Sequence, residues 1–525
     1  MCHDDPVKGA NRPGGSPPVV GYVVVSALVL TAILTGLGVS TKGGSAPGDA
    51  RHPVPGSRAV ASTTTTQPAL PVTPVQWEGC GSDLQCGSVI VPLDYSHPQG
   101  PTIQIAVERH PAVDPAERIG SLVINPGGPG GSGIDDLPNE LSVLTPELLD
   151  DFDVVSFDPR GVGRSDPVDC GTDGGPSDNT SPLPDPTPTT SSAQSALLSN
   201  DRQFASQCEQ DSGGVLPYVG TVDAARDLDR IRAALGDARL TFMGHSYGTL
   251  LGATYAQMFP ARVRAMVLDG AIDPAMSSDE MVLEQTQSLE EVLDDFFAWC
   301  QASSSCPWHP RGDPTTALLA LISEARQTRI PAAAGRSAGP GEIYDALLDG
   351  LYSRSYWPSL AQAIGAAASG DGTAVLAMSD SYRRNGSPNG GDAAEAIYCL
   401  DHPVSRDVSS YAAFAASAGA QAPVFGPFLA WGLLGCAVWP VPPTRTPADT
   451  SAVGSPPILV TGATRDPATP YQWAVNLAHE FRQGYLLTWQ GENHVAYFYS
   501  SCVRQIDQTY LVSGALPPTG TVCSS

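Results

Sequence analysis

The chain has 525 residues, 42% of them hydrophobic, and a formal net charge of −26. That length is too great for one small core and fits one large α/β unit with an insertion, or two to three domains. The acidic balance argues against nucleic acid or an anionic membrane surface as a partner and favours solubility.

Residues 1–18 are polar and read as a cytoplasmic N-terminal segment. Val19 to Val39 carry no charge and are rich in Val, Leu, Ala and Ile. This run is longer than the usual export-signal core and close to the roughly 20 residues that cross a bilayer. It fits a cleaved signal or a retained anchor. Residues 40–75 are rich in Gly, Ser, Thr and Pro and read as a tether. Eleven cysteines are present, of which only Cys2 precedes the apolar run. The other ten suggest disulfides in an oxidising compartment. Pairing sequence neighbours gives 80–86, 170–208, 300–306, 399–436 and 502–523. They form no Cys-x-x-Cys pair, and no metal site is expected.

The globular part begins near residue 76. Cys86 to Tyr95 and Thr102 to Arg109 read as strands, followed by a buried strand over Leu122 to Ile124. That strand runs into Asn125-Pro-Gly-Gly-Pro-Gly-Gly131, a loop without the Lys-Ser/Thr ending of a nucleotide cradle. Asp151 to Phe157 read as another strand, ending at Asp158-Pro-Arg-Gly-Val-Gly-Arg-Ser165, whose charges are read as braces. Residues 171–200 read as a mobile surface excursion closed by a disulfide. Thr221 to Gly236 spell a helix, with Thr221 as its cap and Gly236 as its stop.

Leu240 to Met243 are apolar, Gly244-His-Ser-Tyr-Gly248 turn sharply, and Thr249 to Phe259 continue as a helix. A strand that reverses into a helix crowds its backbone, so the flanking positions need glycine. Ser246 is then strained, with the next backbone N–H, that of Tyr247, open to an anion. A second match, Gly335-Arg-Ser-Ala-Gly339, has no strand before it and meets Pro340 at once. It reads as a loop. Val263 to Leu268 give a further strand. Alternating strands and helices predict a mainly parallel sheet covered on both faces, with its site beyond the strands' carboxyl ends.

Residues 275–450 are mostly helical and aromatic, with helices expected over Glu280 to Gln301, Thr315 to Gln327, Glu342 to Gly350 and Ser359 to Ala368. They read as a cap inserted between a first core part, 76–274, and a second, 451–525. The sheet resumes at Ile458 to Thr461, with Asp466 in the following loop, and at Tyr485 to Trp489, followed by His494.

A serine hydroxyl needs a base, and the base needs an acid to hold its tautomer. Of nine histidines, only His494 lies in a loop at the end of the last predicted strand. Asp466 is the favoured acid, with Asp269 and Asp273 as rivals. The order Ser246, Asp466, His494 is that of an α/β-hydrolase. The glycine loop offers a second N–H to an oxyanion.

Residues 76–525 resemble the exported tripeptidyl-aminopeptidase-like serine peptidases, relatives of the proline iminopeptidases within the α/β-hydrolase fold. The resemblance rests on the glycine loop, on Asp158 to Ser165, on Gly244-His-Ser-Tyr-Gly-Thr249, on Ala396-Ile-Tyr-Cys-Leu-Asp401, on Ala463-Thr-Arg-Asp-Pro-Ala-Thr-Pro470 and on the His494 loop. It implies release of short peptides, or of single residues such as proline, from free N-termini, with no cofactor. Gly128 and Tyr247 would supply the oxyanion N–H groups. Glu395 and Asp401, on either side of Cys399, would receive the substrate amine. The competing reading is an esterase or lipase with the same triad.

Overall fold

The computed structural model describes residues 70–81, 83–171, 182–384 and 389–524. The expected tether and the segment over residues 19–39 lie outside these, apart from the tether's last residues. Ten strands form one sheet: β1 (Glu78–Gly79), β2 (Gln85–Pro92), β3 (Thr102–His110), β4 (Gly120–Asn125), β5 (Phe152–Phe157), β6 (Leu240–His245), β7 (Val263–Asp269) and, after the two-residue strands β8 (Ile330–Pro331) and β9 (Ser337–Ala338) of a separate ladder, β10 (Ile458–Ala463), β11 (Gly484–Trp489) and β12 (Val522–Cys523). Their order is β1-β2-β3-β5-β4-β6-β7-β10-β11-β12. The first three pairings are antiparallel and the rest parallel. This is an α/β-hydrolase sheet, as expected.

Side-chain alternation sorts each central strand between two cores. In β4, Val123 packs with Leu228, Leu251 and Phe242 on one face. Leu122 and Ile124 pack with Leu137, Val503 and Leu511 on the other. The helix Thr221–Ala234 repeats small or apolar residues at Ala224, Ala225, Leu228 and Ile231, which is the spacing of one helical face. Thr221 is its first residue and not its cap: Gly220 holds that place, and the threonine hydroxyl is used elsewhere. The strand expected from Asp151 begins one residue later, because Pro146–Asp151 is a short helix with Pro at its start.

The Asp158–Ser165 turn is braced as its charges suggest. Arg160 is 1% exposed and pairs with Asp227, also 1% exposed, through Nε–Oδ2 at 2.6 Å and Nη2–Oδ1 at 2.8 Å. It also donates to the carbonyls of Pro92, Leu93 and Tyr218. Removing one partner leaves a buried charge alone. Asp227→Ala is therefore expected to lower unfolding stability by about 3–5 kcal/mol, read as a fall in the denaturant midpoint at unchanged slope. The paired change Arg160→Met with Asp227→Leu should cost less than either single change. A larger loss in the pair would show that the charges themselves hold the turn.

Between β7 and β10 the chain is helical: Ser278–Ala302, Pro314–Gln327, Pro340–Leu351, Trp357–Ala368, Thr373–Arg384, Gly390–Asp401, Tyr411–Gln421, Phe425–Gly432 and Leu434–Ala437. The first four match expectation. A long helix, Ser191–Ser212, joins them from before the elbow. It starts inside the segment expected to be a surface excursion and packs Ala205 and Cys208 into the cap core beside Cys436 and Trp439. The cap is thus larger than 275–450, because a disulfide, Cys170–Cys208, pins that helix. The other four bridges also join the expected neighbours.

Candidate active site

β6 ends at His245, Ser246 follows, and the helix Tyr247–Met258 begins at once. Ser246 has φ 55° and ψ −122°, a conformation that non-glycine residues rarely adopt. The two glycines permit it. A Cβ on Gly244 would sit 2.4 Å from the Gly248 carbonyl oxygen, and one on Gly248 would sit 2.5 Å from that of Asn125. The Ser246 N–H donates to the Asp269 carbonyl at 2.9 Å. Its own carbonyl accepts the Thr249 hydroxyl at 2.6 Å. The strained turn is thereby clamped from both sides.

The glycine loop after β4 lies directly on the elbow. Gly127 has φ +98°, and a Cβ there would stand 2.4 Å from the His245 carbonyl oxygen and 3.0 Å from the Tyr247 nitrogen. Gly128 lines one pocket with Ser246 and Tyr247. The N–H groups of Gly128 and Tyr247 donate to no acceptor among the described residues. Two backbone donors beside a serine hydroxyl can hold an oxyanion.

Asp466 and His494 meet beyond the ends of β10 and β11. His494 Nδ1 lies 2.9 Å from Asp466 Oδ1 and 3.0 Å from Oδ2. The carboxylate is fixed by the N–H groups of Ala468 and Thr469 at 2.9 and 2.8 Å and by the Thr469 hydroxyl at 3.0 Å. His494 is 4% exposed, and its Nε2 has no partner among the described residues. With Nδ1 turned to the carboxylate, Nε2 is the nitrogen left to take a proton. A Cβ on Gly270, next to the Asp269 that clamps Ser246, would stand 3.2 Å from His494 Cε1. The imidazole therefore lies beside the elbow.

The rival acids have other duties. Asp269 is fully buried and accepts the N–H groups of Ala496 and Tyr497 at 3.1 and 2.7 Å, bracing the His494 loop from beneath. Burial pushes its carboxyl up to about 6. Asp273 accepts from Ala275 and Asn476. His245 turns away from the pocket, with Nε2 3.5 Å from Glu140 and its ring against Tyr497 and Phe498. Burial opposes its charge, but Glu140 and the acids around it raise its pKa on balance.

The cap closes over the elbow. The pocket holds about 520 Å³ of empty space. Its apolar side is Ile272, Met281, Val282 and Trp473, and Asp401 stands in the same wall. Asp401 is 1% exposed; Oδ1 accepts the Thr221 N–H at 2.9 Å and Oδ2 accepts the Thr221 hydroxyl. Burial pushes its carboxyl up to about 6, against the charge of Arg445. Thr221 also contacts the Tyr247 hydroxyl, so it links the carboxylate to the elbow. Glu395 does not join Asp401. It lines a different cavity, and its Oε1 lies 3.5 Å from the sulfur of disulfide-bonded Cys399.

Sequence reasoning missed how the cap grips the acid loop. Gln285 Nε2 donates to the Ala468 carbonyl at 2.6 Å, and the Ser288 hydroxyl donates to the Asp466 carbonyl at 2.5 Å. Both lie on the helix Ser278–Ala302, where their polar side chains break its apolar stripe; that break is the one signal the sequence carried.

Residues 120–311 match the family described as alpha/beta hydrolase fold, and residues 422–523 match the family described as TAP-like protein. The chain is 38% identical over 480 residues to serine protease Hip1 of Mycobacterium tuberculosis (strain ATCC 25618 / H37Rv), covering 86% of this chain and 91% of that protein. It is 32% identical over 471 residues to tripeptidyl aminopeptidase of Streptomyces lividans, covering 86% of each. Carboxylesterase B of the same Mycobacterium tuberculosis strain is 33% identical over 513 residues, covering 90% of this chain and 95% of that protein.

Proposed function

The chain belongs to the tripeptidyl-aminopeptidase-like serine hydrolases of the α/β-hydrolase fold, and on that premise we propose that it is an exported peptidase that removes short peptides from free N-termini. Tripeptides, or single residues such as proline, are the units released. The observation that carries this reading is the buried Asp401 carboxylate in the wall of the Ser246 pocket. An acyl-ester pocket has no use for a buried acid; a protonated amine does. Export is supported by the uncharged run over residues 19–39 and by five disulfides.

In this reading His494 Nε2 takes the Ser246 proton, and Oγ attacks the scissile carbonyl. The oxyanion accepts the N–H groups of Tyr247 and Gly128. Asp466 holds the imidazole tautomer and faces the imidazolium as it forms. His494 then gives the proton to the leaving amine. Water, deprotonated by the same nitrogen, hydrolyses the acyl-enzyme and frees Ser246.

A panel of peptide anilides with free and acetylated N-termini, run beside short acyl esters, tests the proposal. Free-amine peptides should be preferred by at least about 100-fold in kcat/KM, the cost of leaving a buried carboxylate unpaired. Asp401→Asn should raise KM for free-amine peptides by about tenfold or more and spare blocked esters. Protonating Asp401 does the same thing: with its carboxyl near pH 6, KM for free-amine peptides should climb as pH falls below about 6, while KM for blocked esters stays level. The similarity to carboxylesterase B favours a second reading, hydrolysis of acyl esters by the same triad. It predicts ester turnover indifferent to the state of any amine and a flat response to Asp401→Asn.

A further inference from the structure

The cap holds a second cavity that shares no lining residue with the Ser246 pocket. It encloses about 1200 Å³ of open space and is lined from the helices Ser191–Ser212, Gly390–Asp401 and Phe425–Gly432. Phe204, Phe428, Trp431 and Trp439 supply an aromatic wall. Asp201, Asp392 and Glu395 line it as well, against one cation, Arg383.

These groups are not equivalent. Asp392 already accepts the Cys170 N–H at 3.0 Å. Asp201 has its carboxyl pushed up to about 7 by burial and then by the charge of Glu395. Two carboxylates that repel each other are relieved by a cation between them. Trp439 is 1% exposed, and its indole N–H has no acceptor among the described residues. A buried donor without an acceptor costs free energy until a ligand supplies one. Aromatic faces add attraction for a cation carried on an apolar stem.

The wall therefore asks for an ammonium, an aliphatic stem and a carbonyl in one molecule. We propose that this cavity binds a lysine residue of a peptide, with its ammonium between Asp201 and Glu395 and a backbone carbonyl accepting the Trp439 N–H. The site is separate from the amine recognition assigned to Asp401. Glu395 and Asp401 sit on different sides of one helix, and a lysine with both its amine and carboxyl blocked satisfies the second cavity alone.

Calorimetric titration of the intact protein with Nα-acetyl-lysine methylamide, and with its norleucine and glutamate counterparts, tests this. The lysine compound should bind about tenfold or more tighter than the norleucine one, the gain of a charge-assisted bond and a cation–π contact. Asp201→Asn combined with Glu395→Gln should erase that preference, and Asp401→Asn should leave it intact. Trp439→Phe should weaken the lysine and norleucine compounds alike, since both carry the carbonyl. Equal affinity for lysine and norleucine, no binding, or preference for glutamate (the mark of Arg383 dominating) would overturn the proposal. So would a lysine preference lost in Asp401→Asn, which would place the ligand in the Ser246 pocket. Selectivity of the unaltered protein decides the matter even where the double variant fails to fold, and melting temperatures identify that case.

Discussion

Ser246→Ala is expected to lower kcat by about 10⁶-fold and to leave KM nearly unchanged. The alanine keeps the clamp on the turn, because the Ser246 N–H to Asp269 and the Thr249 hydroxyl to Ser246 bonds both use backbone atoms. Only the attacking oxygen is lost. The variant should therefore bind substrate, melt with the parent, and retain the small residual rate that an oxyanion hole gives without a nucleophile. A loss of only tenfold, measured with a free-amine tripeptide anilide, would mean that another group attacks.

Asp466→Asn is the second large effect, with kcat expected to fall by about 10⁴-fold. The asparagine can keep the backbone bonds from Ala468 and Thr469, so the loop holds its shape. Its amide, however, can present a donor to His494 Nδ1 and fix the wrong tautomer, and it cannot stabilise an imidazolium. Asp269→Asn is the control. That carboxylate touches only the backbone N–H groups of Ala496 and Tyr497, so its loss should cost about tenfold or less, through the position of the loop. Equal losses for the two variants would reassign the acid.

The elbow was legible because steric crowding leaves no choice of residue at Gly244 and Gly248. The acid and base were legible because both follow strands of a parallel sheet, whose carboxyl ends converge. The disulfides were legible because each bridge joins neighbours along the chain. The amine site was legible only in part. Glu395 and Asp401 lie six positions apart, which is about 240° around a helix, so one helix cannot turn both to a single pocket. Reading the segment as Cys399 with flanking acids hid that geometry. The role of Thr221 was hidden for a related reason. A threonine at a helix start suggests a cap, and nothing local shows that its hydroxyl reaches Asp401 and Tyr247, 180 and 26 residues away. The helices Gly390–Asp401 and Tyr411–Gln421 were unmarked as well. One starts on two glycines, and the other is mostly alanine with little contrast between its faces. Their helicity comes from packing in the cap core, where Ala393, Ile397, Phe414 and Ala418 are buried together.

The pocket's chemistry divides between two layers. The sheet supplies the nucleophile, base, acid and oxyanion donors from four strand ends, and the cap supplies selectivity through one carboxylate and an apolar wall. Gln285 and Ser288 tie the layers by holding the backbone of the Asp466 loop. Movement of the cap is thereby linked to the position of His494, whose own N–H donates to the carbonyl of Tyr352 in the cap at 3.1 Å.

The central claim, that Ser246 is an activated nucleophile in this elbow, is tested most directly by a fluorophosphonate probe followed by peptide mapping. The expected result is one adduct per chain, on Ser246, formed at a rate that falls in His494→Ala and absent in Ser246→Ala. Labelling of another serine, or undiminished labelling of Ser246→Ala, would contradict it.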